Sequence, residues 1–334
     1  MQNTNAEIIK SGLSFSDLYN RAKDIQTHCT DYSVSKVSHE NMYVDPHTGN
    51  LVYIPDGSTE VRRTGLTKHS LSQLCTKLGV PVRYIDKCSS AGRLDLVSDN
   101  LNSWLSTYDK NLFIREYNNK ARGILSDRYM TLDTPEILEV LSDTIDSDEY
   151  TIKGHFLSPE RFHARIVQRE MMNVAGEDLF AGIQIDSSDV GRSTLSVKFL
   201  IFKQVCTNGL CITKGGGMLF EQRHIGLSVD EFHKEFKDSM SRIPTLMNDS
   251  ISLVESARKK DKTFSLSNLD EITNLVKNNT RVSDSTVEKV ISLMSDRYSF
   301  TRWGLINSLT EVAQDFTLER RLEIEKYAGS LLTA

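Results

Sequence analysis

The residues best suited by type and spacing to do chemistry lie in three stretches. In QVCTNGLCITKGGG (204–217) two cysteines, an Asn-Gly and a glycine triplet follow an apolar run. A structural zinc site takes four ligands, usually as two tight Cys or His pairs. Cys206 and Cys211 stand alone, and even with His224 a fourth ligand is missing. A Cys-x-x-Cys redox pair is absent because the spacing is too long. In TKGGG, Lys214 precedes the glycines, whereas a phosphate-binding loop places its lysine after them. The segment therefore reads as architecture: a strand through Cys206, a turn at Asn208-Gly209 and a return strand through Cys211. No metal and no cofactor is expected.

The second stretch is RFHARIVQR (161–169), where Arg161, His163, Arg165 and Arg169 recur at even spacing. A strand's period of two puts them on one face, with Phe162, Ala164 and Ile166 on the other. Arg115 in FIREY and Lys120 and Arg122 in the return strand extend the set, and Phe113, Tyr117 and Tyr129 offer rings for stacking. A one-sided basic strand with nearby aromatics suits a single-stranded nucleic-acid backbone. The competing expectation is a solvated face neutralised by Glu116, Glu160 and Glu170.

The third stretch, DTIDSDEY (143–150), is acidic but lacks the glycine and terminal glutamate of a calcium loop, and reads as a solvated helix end. His155 and His163 sit on two arms of one hairpin, where facing each other is an alternative to separate surface positions. The chain has no Gly-x-Ser-x-Gly elbow and no His-Glu-x-x-His, so no catalytic residue is assigned.

The elements that position these residues give an α+β fold: a mostly antiparallel, meandering sheet with an inserted helix, followed by a helical C-terminal region. Three regions follow, a mixed one over 1–108, a β-rich core over 109–226 and a helical one over 227–334. In the first, helices start at Ser14 or Ser16 and at Thr67, the latter stopping at Gly79 and Pro81. The amphipathic run RLDLVSDNLNSWLSTY places Leu94, Leu96, Leu101, Trp104 and Leu105 in the core. In the second, hairpins turn at Asn118-Asn119, within 150–170 and within 178–205, and a helix enters at Thr134-Pro135. In the third comes one long helix or two broken near Pro244, and Trp303 is expected inside with Asn307 bonding to backbone one turn later.

Composition sets the outer limits. A chain of 334 residues can bury a sizeable core, and its net charge of −5 excludes a uniformly basic coat while leaving a local basic face open. The five scattered cysteines suit reduced thiols, and no apolar run nears the ~20 residues of a membrane helix. A cytoplasmic protein without a membrane span is expected.

The segment DLFAGIQIDSSDVGRSTLSVKFLIFKQVCTNGL resembles the signature of a phage- and plasmid-borne family of unknown function. Ser187, Ser188, Gly191, Ser193, Cys206, Asn208 and Gly209 carry the likeness, with Ser187 where Asn is more usual. GILSDRYMTLDTPEILEVL and RWGLINSLTEVAQ resemble two further segments of that family, so the likeness covers about 110–330. It implies kinship with single-strand annealing recombination proteins, which hold single-stranded DNA in a basic groove and assemble as rings or filaments. The expectation is a non-catalytic single-stranded DNA-binding or annealing protein, homo-oligomeric, working beside a recombination or replication partner. Its contacts would be Arg115, Lys120, Arg122, Arg161, His163, Arg165 and Arg169. The alternatives are an assembly module whose helical third docks a partner, and an enzyme on nucleic acid that no motif identifies.

Overall fold

Asn118 and Asn119 both take positive φ, 48° and 58°, and so close a tight hairpin between β5 (Leu112–Tyr117) and β6 (Lys120–Ser126). The computed structural model describes residues 14–174, 176–203, 208–211, 218–223, 228–259 and 269–332. That hairpin lies inside a six-stranded sheet with β1 (Cys29–Val34), β2 (Met42–Val44), β3 (Leu51–Tyr53) and β4 (Arg62–Leu66), in the order β1-β5-β6-β4-β3-β2. The pairing is antiparallel except between β4 and β6. The sheet thus continues from the first 108 residues into the segment beyond them.

α2 (Lys68–Leu78), α3 (Val82–Ser90) and α4 (Leu94–Leu105) supply the rest of this sheet's core, in which Leu74, Ile85 and Leu101 meet Leu51, Ile114 and Ile124. The Thr67 side chain caps α2 by accepting from the Ser70 backbone N–H.

The second sheet takes the order β12-β11-β10-β8-β7, with β9 on β10 and β13 on β11. Its strands are β7 (Tyr150–Leu157), β8 (Phe162–Gln168), β9 (Met172–Val174), β10 (Glu177–Ser187), β11 (Leu195–Lys203), β12 (Asn208–Cys211) and β13 (Met218–Gln222). Between the sheets comes α5 (Thr134–Thr144), against which α1 (Phe15–Thr27) packs. Asp133 is the cap residue of α5, one position before the expected Thr134.

α6 (Val229–Ser241) and α7 (Ile243–Lys259) separate at Arg242, because Pro244 fits only the first turn of a new helix. α8 (Leu269–Thr280), α9 (Asp284–Leu293), a π-helical turn at Met294–Tyr298, α10 (Arg302–Val312) and α11 (Leu318–Ser330) follow. Their apolar residues Ile272, Val290, Leu305, Leu309 and Ile324 share one core with Phe162, Ile166, Ile183, Ile185 and Phe199 of the sheet. Trp303 is buried, and Asn307 Nδ2 donates to its carbonyl at 2.8 Å, as its position one helical turn away implies. Among the described residues no helix is long and apolar enough to cross a membrane.

The hairpin after β11 differs from the sequence expectation. Lys203 pairs with Asn208 and Phe202 with Gly209, so Asn208-Gly209 belongs to β12 and the connection spans 204–207, which lie outside the described residues.

Central β10 lies so close to β8 that a Cβ at Gly182 would stand 2.4 Å from the Ile166 carbonyl oxygen. The clash is with the backbone of β8, which cannot yield without shearing the sheet. Gly182→Ala should lower the unfolding free energy by ~1–3 kcal/mol or more, as overpacked cores do. Urea denaturation tests this, and a loss under ~0.5 kcal/mol, the range of neutral surface changes, would contradict the packing described.

Candidate functional site

β8 alternates as its sequence implies, with Phe162, Ala164 and Ile166 in the main core and His163 and Arg165 on the opposite face. That opposite face is not open. Arg165 and His163 are fully buried, Arg161 keeps slight access to solvent, and Arg169, just past the end of β8, is exposed. Glu325 of α11 lies in the same interior, ion-paired with Arg165 and accepting from Arg321 Nε at 2.9 Å. Arg161 reaches Glu319 of α11 at 2.9 Å.

Asp186 of β10 faces His163 Nδ1 at 2.8 Å, Gln184 Nε2 at 2.8 Å, Arg161 at 3.5 Å and Lys198 at 3.9 Å. Burial would raise its pKa, but His163 and the adjacent cations prevail and hold the carboxyl below the ordinary range. Burial pushes His163 down in spite of Asp186, favouring the neutral ring. The expectation of a basic strand face facing solvent is therefore corrected. α11, some 160 positions downstream of β8, brings the carboxylates that neutralise it. Glu160 instead pairs with Arg192, and Glu116 serves Tyr53 and Arg62.

Arg115 and Arg122 are likewise buried, at the junction of the two sheets. Arg115 donates to both oxygens of Asp133 at 2.6 Å, to both of Asp31 at 2.9 Å and to the Asp189 carbonyl at 2.7 Å. Arg122 donates to the Pro159 carbonyl and approaches Asp189 Oδ2 at 3.4 Å. Both therefore grip the turn between β10 and β11. Ser188 Oγ donates to the Glu160 carbonyl and accepts from the Val190 and Arg192 backbone N–H groups, and Gly191 takes φ 73°. Tyr129 donates to the Ser188 carbonyl and Gln73 to the Val190 carbonyl. The Ser-Ser-x-x-Gly segment is thus a plug seated between the sheets. Burial, then the neighbouring Asp133, pushes the Asp189 carboxyl up to about 7.

Lys120 and Arg169 are the members of the expected set that stay exposed. Phe113, Tyr117 and Tyr129 are half-buried, with Arg115 over the Phe113 ring and His28 at the edge of Tyr117. His155 pairs with Ala164 and His163 with Phe156, so the two histidines do not oppose each other. The acidic run ending α5 is solvated, with Asp143, Asp146 and Asp148 exposed.

A different aromatic pair reaches solvent. α4 buries Val97, Ser98, Leu101 and Leu105, which leaves Trp104 just past the edge of the stripe and 55% exposed, not in the core as expected. Tyr84 on α3 is 42% exposed, on a helix that packs against the α4 that carries Trp104. Arg83 and Lys87 flank Tyr84 on α3, both exposed. This surface was hidden in the sequence because an indole at helical spacing reads as core.

Asp189 makes the junction sensitive to pH. Its folded carboxyl keeps a proton to about 7, whereas an unfolded aspartate loses it near ~3.9, so the native state binds more protons between those values. This contribution to stability falls as pH rises through that window. Asp189→Asn should flatten the fall, measured as urea midpoints at pH 5 and pH 8. A difference between the two midpoints equal to the wild type's would remove Asp189 from the titration.

No curated protein and no solved structure matches this chain. One family model does, for a domain of unknown function, DUF932, over residues 121–329. It takes in Arg122, the plug and Glu325, and begins inside β6, leaving Arg115 and Asp31 outside. The chain belongs to the DUF932 family.

Proposed function

We propose that this chain is a non-catalytic single-stranded DNA-binding protein that promotes annealing, of phage or plasmid origin and acting in the cytoplasm. The observation that carries the reading is the exposed pair Tyr84 and Trp104 on adjoining helices, with Arg83 and Lys87 exposed beside Tyr84. Exposed rings beside cations are what a strand of unpaired bases needs, since every base has a face to stack and every nucleotide a phosphate to neutralise. Held by one face and by its backbone, a strand keeps its pairing edges free for a complement. The likeness of the 178–210 segment to a mobile-element family, and through it to annealing proteins, supports the same reading and implies assembly as a homo-oligomer.

The assignment of contacts changes with it. Arg115, Arg122, Arg161, His163 and Arg165 hold the sheets together, and Lys120 and Arg169 remain as outlying cations for the backbone. With a net charge of −5 the chain should bind weakly and lose affinity steeply as salt rises.

The two tryptophans make the test direct, because Trp303 is buried and Trp104 is not. Adding oligo-dT at low salt should quench the exposed indole, and Trp104→Phe should abolish the quench. Trp104→Ala should weaken binding by ~5- to 100-fold, the range of one base–aromatic stack of ~1–3 kcal/mol. Absence of both quenching and anisotropy change at low salt would refute the reading. Light scattering showing a dimer that Trp104→Ala dissociates, without DNA binding, would assign the patch to self-association instead.

A further inference from the structure

We propose that the surface carrying Trp104 continues into a phosphate track formed by Lys36, Lys77 and Lys110, along which the backbone of a bound single strand runs. The inference rests on the DNA-binding reading and adds to it the path of that backbone.

The chain itself brings these lysines to the end of α4. Thr107 N–H donates to the Trp104 carbonyl and Tyr108 N–H to that of Leu105, so one further turn links the exposed indole to Tyr108. Lys110 then lies over the half-buried Tyr108 ring, 5.7 Å from its centroid. The segment before β5 is laced to the segment after β1. Val37 N–H donates to the Lys110 carbonyl at 3.0 Å, Asp109 N–H to the Val37 carbonyl at 3.2 Å and Lys36 N–H to Asn111 Oδ1 at 3.0 Å. Lys36 and Asp109 both take positive φ, 46° and 45°, a strained backbone that recurs where a chain clamps a ligand. The turns bearing Lys36 and Lys110 are therefore fixed against each other by backbone, and both side chains are exposed.

Lys77 comes from the last turn of α2 and is half-buried. Burial pulls its pKa down, Asp127 opposes the fall and the neighbouring Lys110 adds to it. Two ammonium groups that repel each other are eased by an anion between them. Among the described residues none of the three lysines forms an ion pair, whereas Arg115, Arg122, Arg161 and Arg165 all do.

Three carboxylates temper this surface. Asp56 is bonded to Ser35, Asp127 accepts from Asn111 and Asp109 is exposed, while Arg128 beside Asp127 is exposed as well. With its charge so nearly balanced, the surface does not gather DNA by its field. Binding depends on a base held by the indole while the lysines take the adjoining phosphates. A duplex, whose bases are already stacked on one another, offers Trp104 no free face.

Titration of the full chain with oligo-dT, followed by Trp104 quenching at about 50 and about 200 mM salt, tests the track. The slope of log affinity against log salt counts the phosphates met, about 0.7 for each contact on a single strand. Lys110→Gln should make the slope shallower by about 0.7, and Lys77→Gln with Lys110→Gln by about 1.4, with the quench at saturation unchanged. Lys237→Gln and Lys326→Gln, exposed on α6 and α11, should keep the wild-type slope. A wild-type slope in both track variants, with quenching retained, would overturn the track and leave the Trp104 stack standing. No quenching of the wild-type protein would overturn both. Equal affinity for blunt duplex, or displacement of the oligomer by inorganic phosphate at matched ionic strength, would also overturn the strand path. Circular dichroism identifies the folded variants, and Lys110→Gln, an exposed change, decides alone where the double variant does not fold.

Discussion

A guanidinium that cannot reach water must have its charge met in place, and Arg115 sets that condition at the centre of this molecule. Asp31 comes from the neighbouring strand, Asp133 from the start of α5 and the Asp189 carbonyl from the second sheet. Losing either carboxylate would leave buried charge unbalanced, a cost of ~3–5 kcal/mol where a pair is broken. The two sheets are therefore fixed to each other by a polar tie, since the apolar clusters on the two sides are separate. A polar tie is directional in a way that an apolar one is not. It specifies the orientation of the Ser187–Arg192 turn as well as its proximity.

The second sheet solves the same problem on a larger scale. Arg161, His163, Arg165, Lys198 and Arg321 share Asp186, Glu319 and Glu325 in a network with Gln184 in its middle. α11 is held to the sheet by this network on one side and by Ile324 and Ala328 in the main core. Arginines suited by type to phosphate are committed instead to carboxylates of the same chain. Trp104, Tyr84 and Lys120 lie outside both networks and are exposed.

Much of the local structure was legible in the sequence, because local signals carry it. Asn118-Asn119, the Thr67 cap, the break before Pro244 and the Trp303–Asn307 bond each depend on residues within one turn of each other. β1 and β4 were not legible. CTDYSV and RRTGL carry little apolar alternation, since their polar side chains serve Arg115, Glu116 and the hairpin turn beyond β5. The alternation in RFHARIVQR correctly divided its residues between two faces. What lay against the polar face depended on Glu325, and no spacing rule links positions so far apart. Trp104 failed in the opposite sense, one residue beyond the stripe that α4 buries.

The long reach from Arg165 to Glu325 also orders events during synthesis. A ribosome releases β8 well before α11, and domains assemble as their parts emerge. Until the last helix is made, the strand bearing Arg161, His163 and Arg165 has no carboxylate from that helix to meet it. For that interval Asp186 is the carboxylate at hand for Arg161, His163 and Lys198, and Arg165 meets Glu325 only when α11 arrives. Closure of the second sheet is thus a late, charge-neutralising step in the life of each molecule.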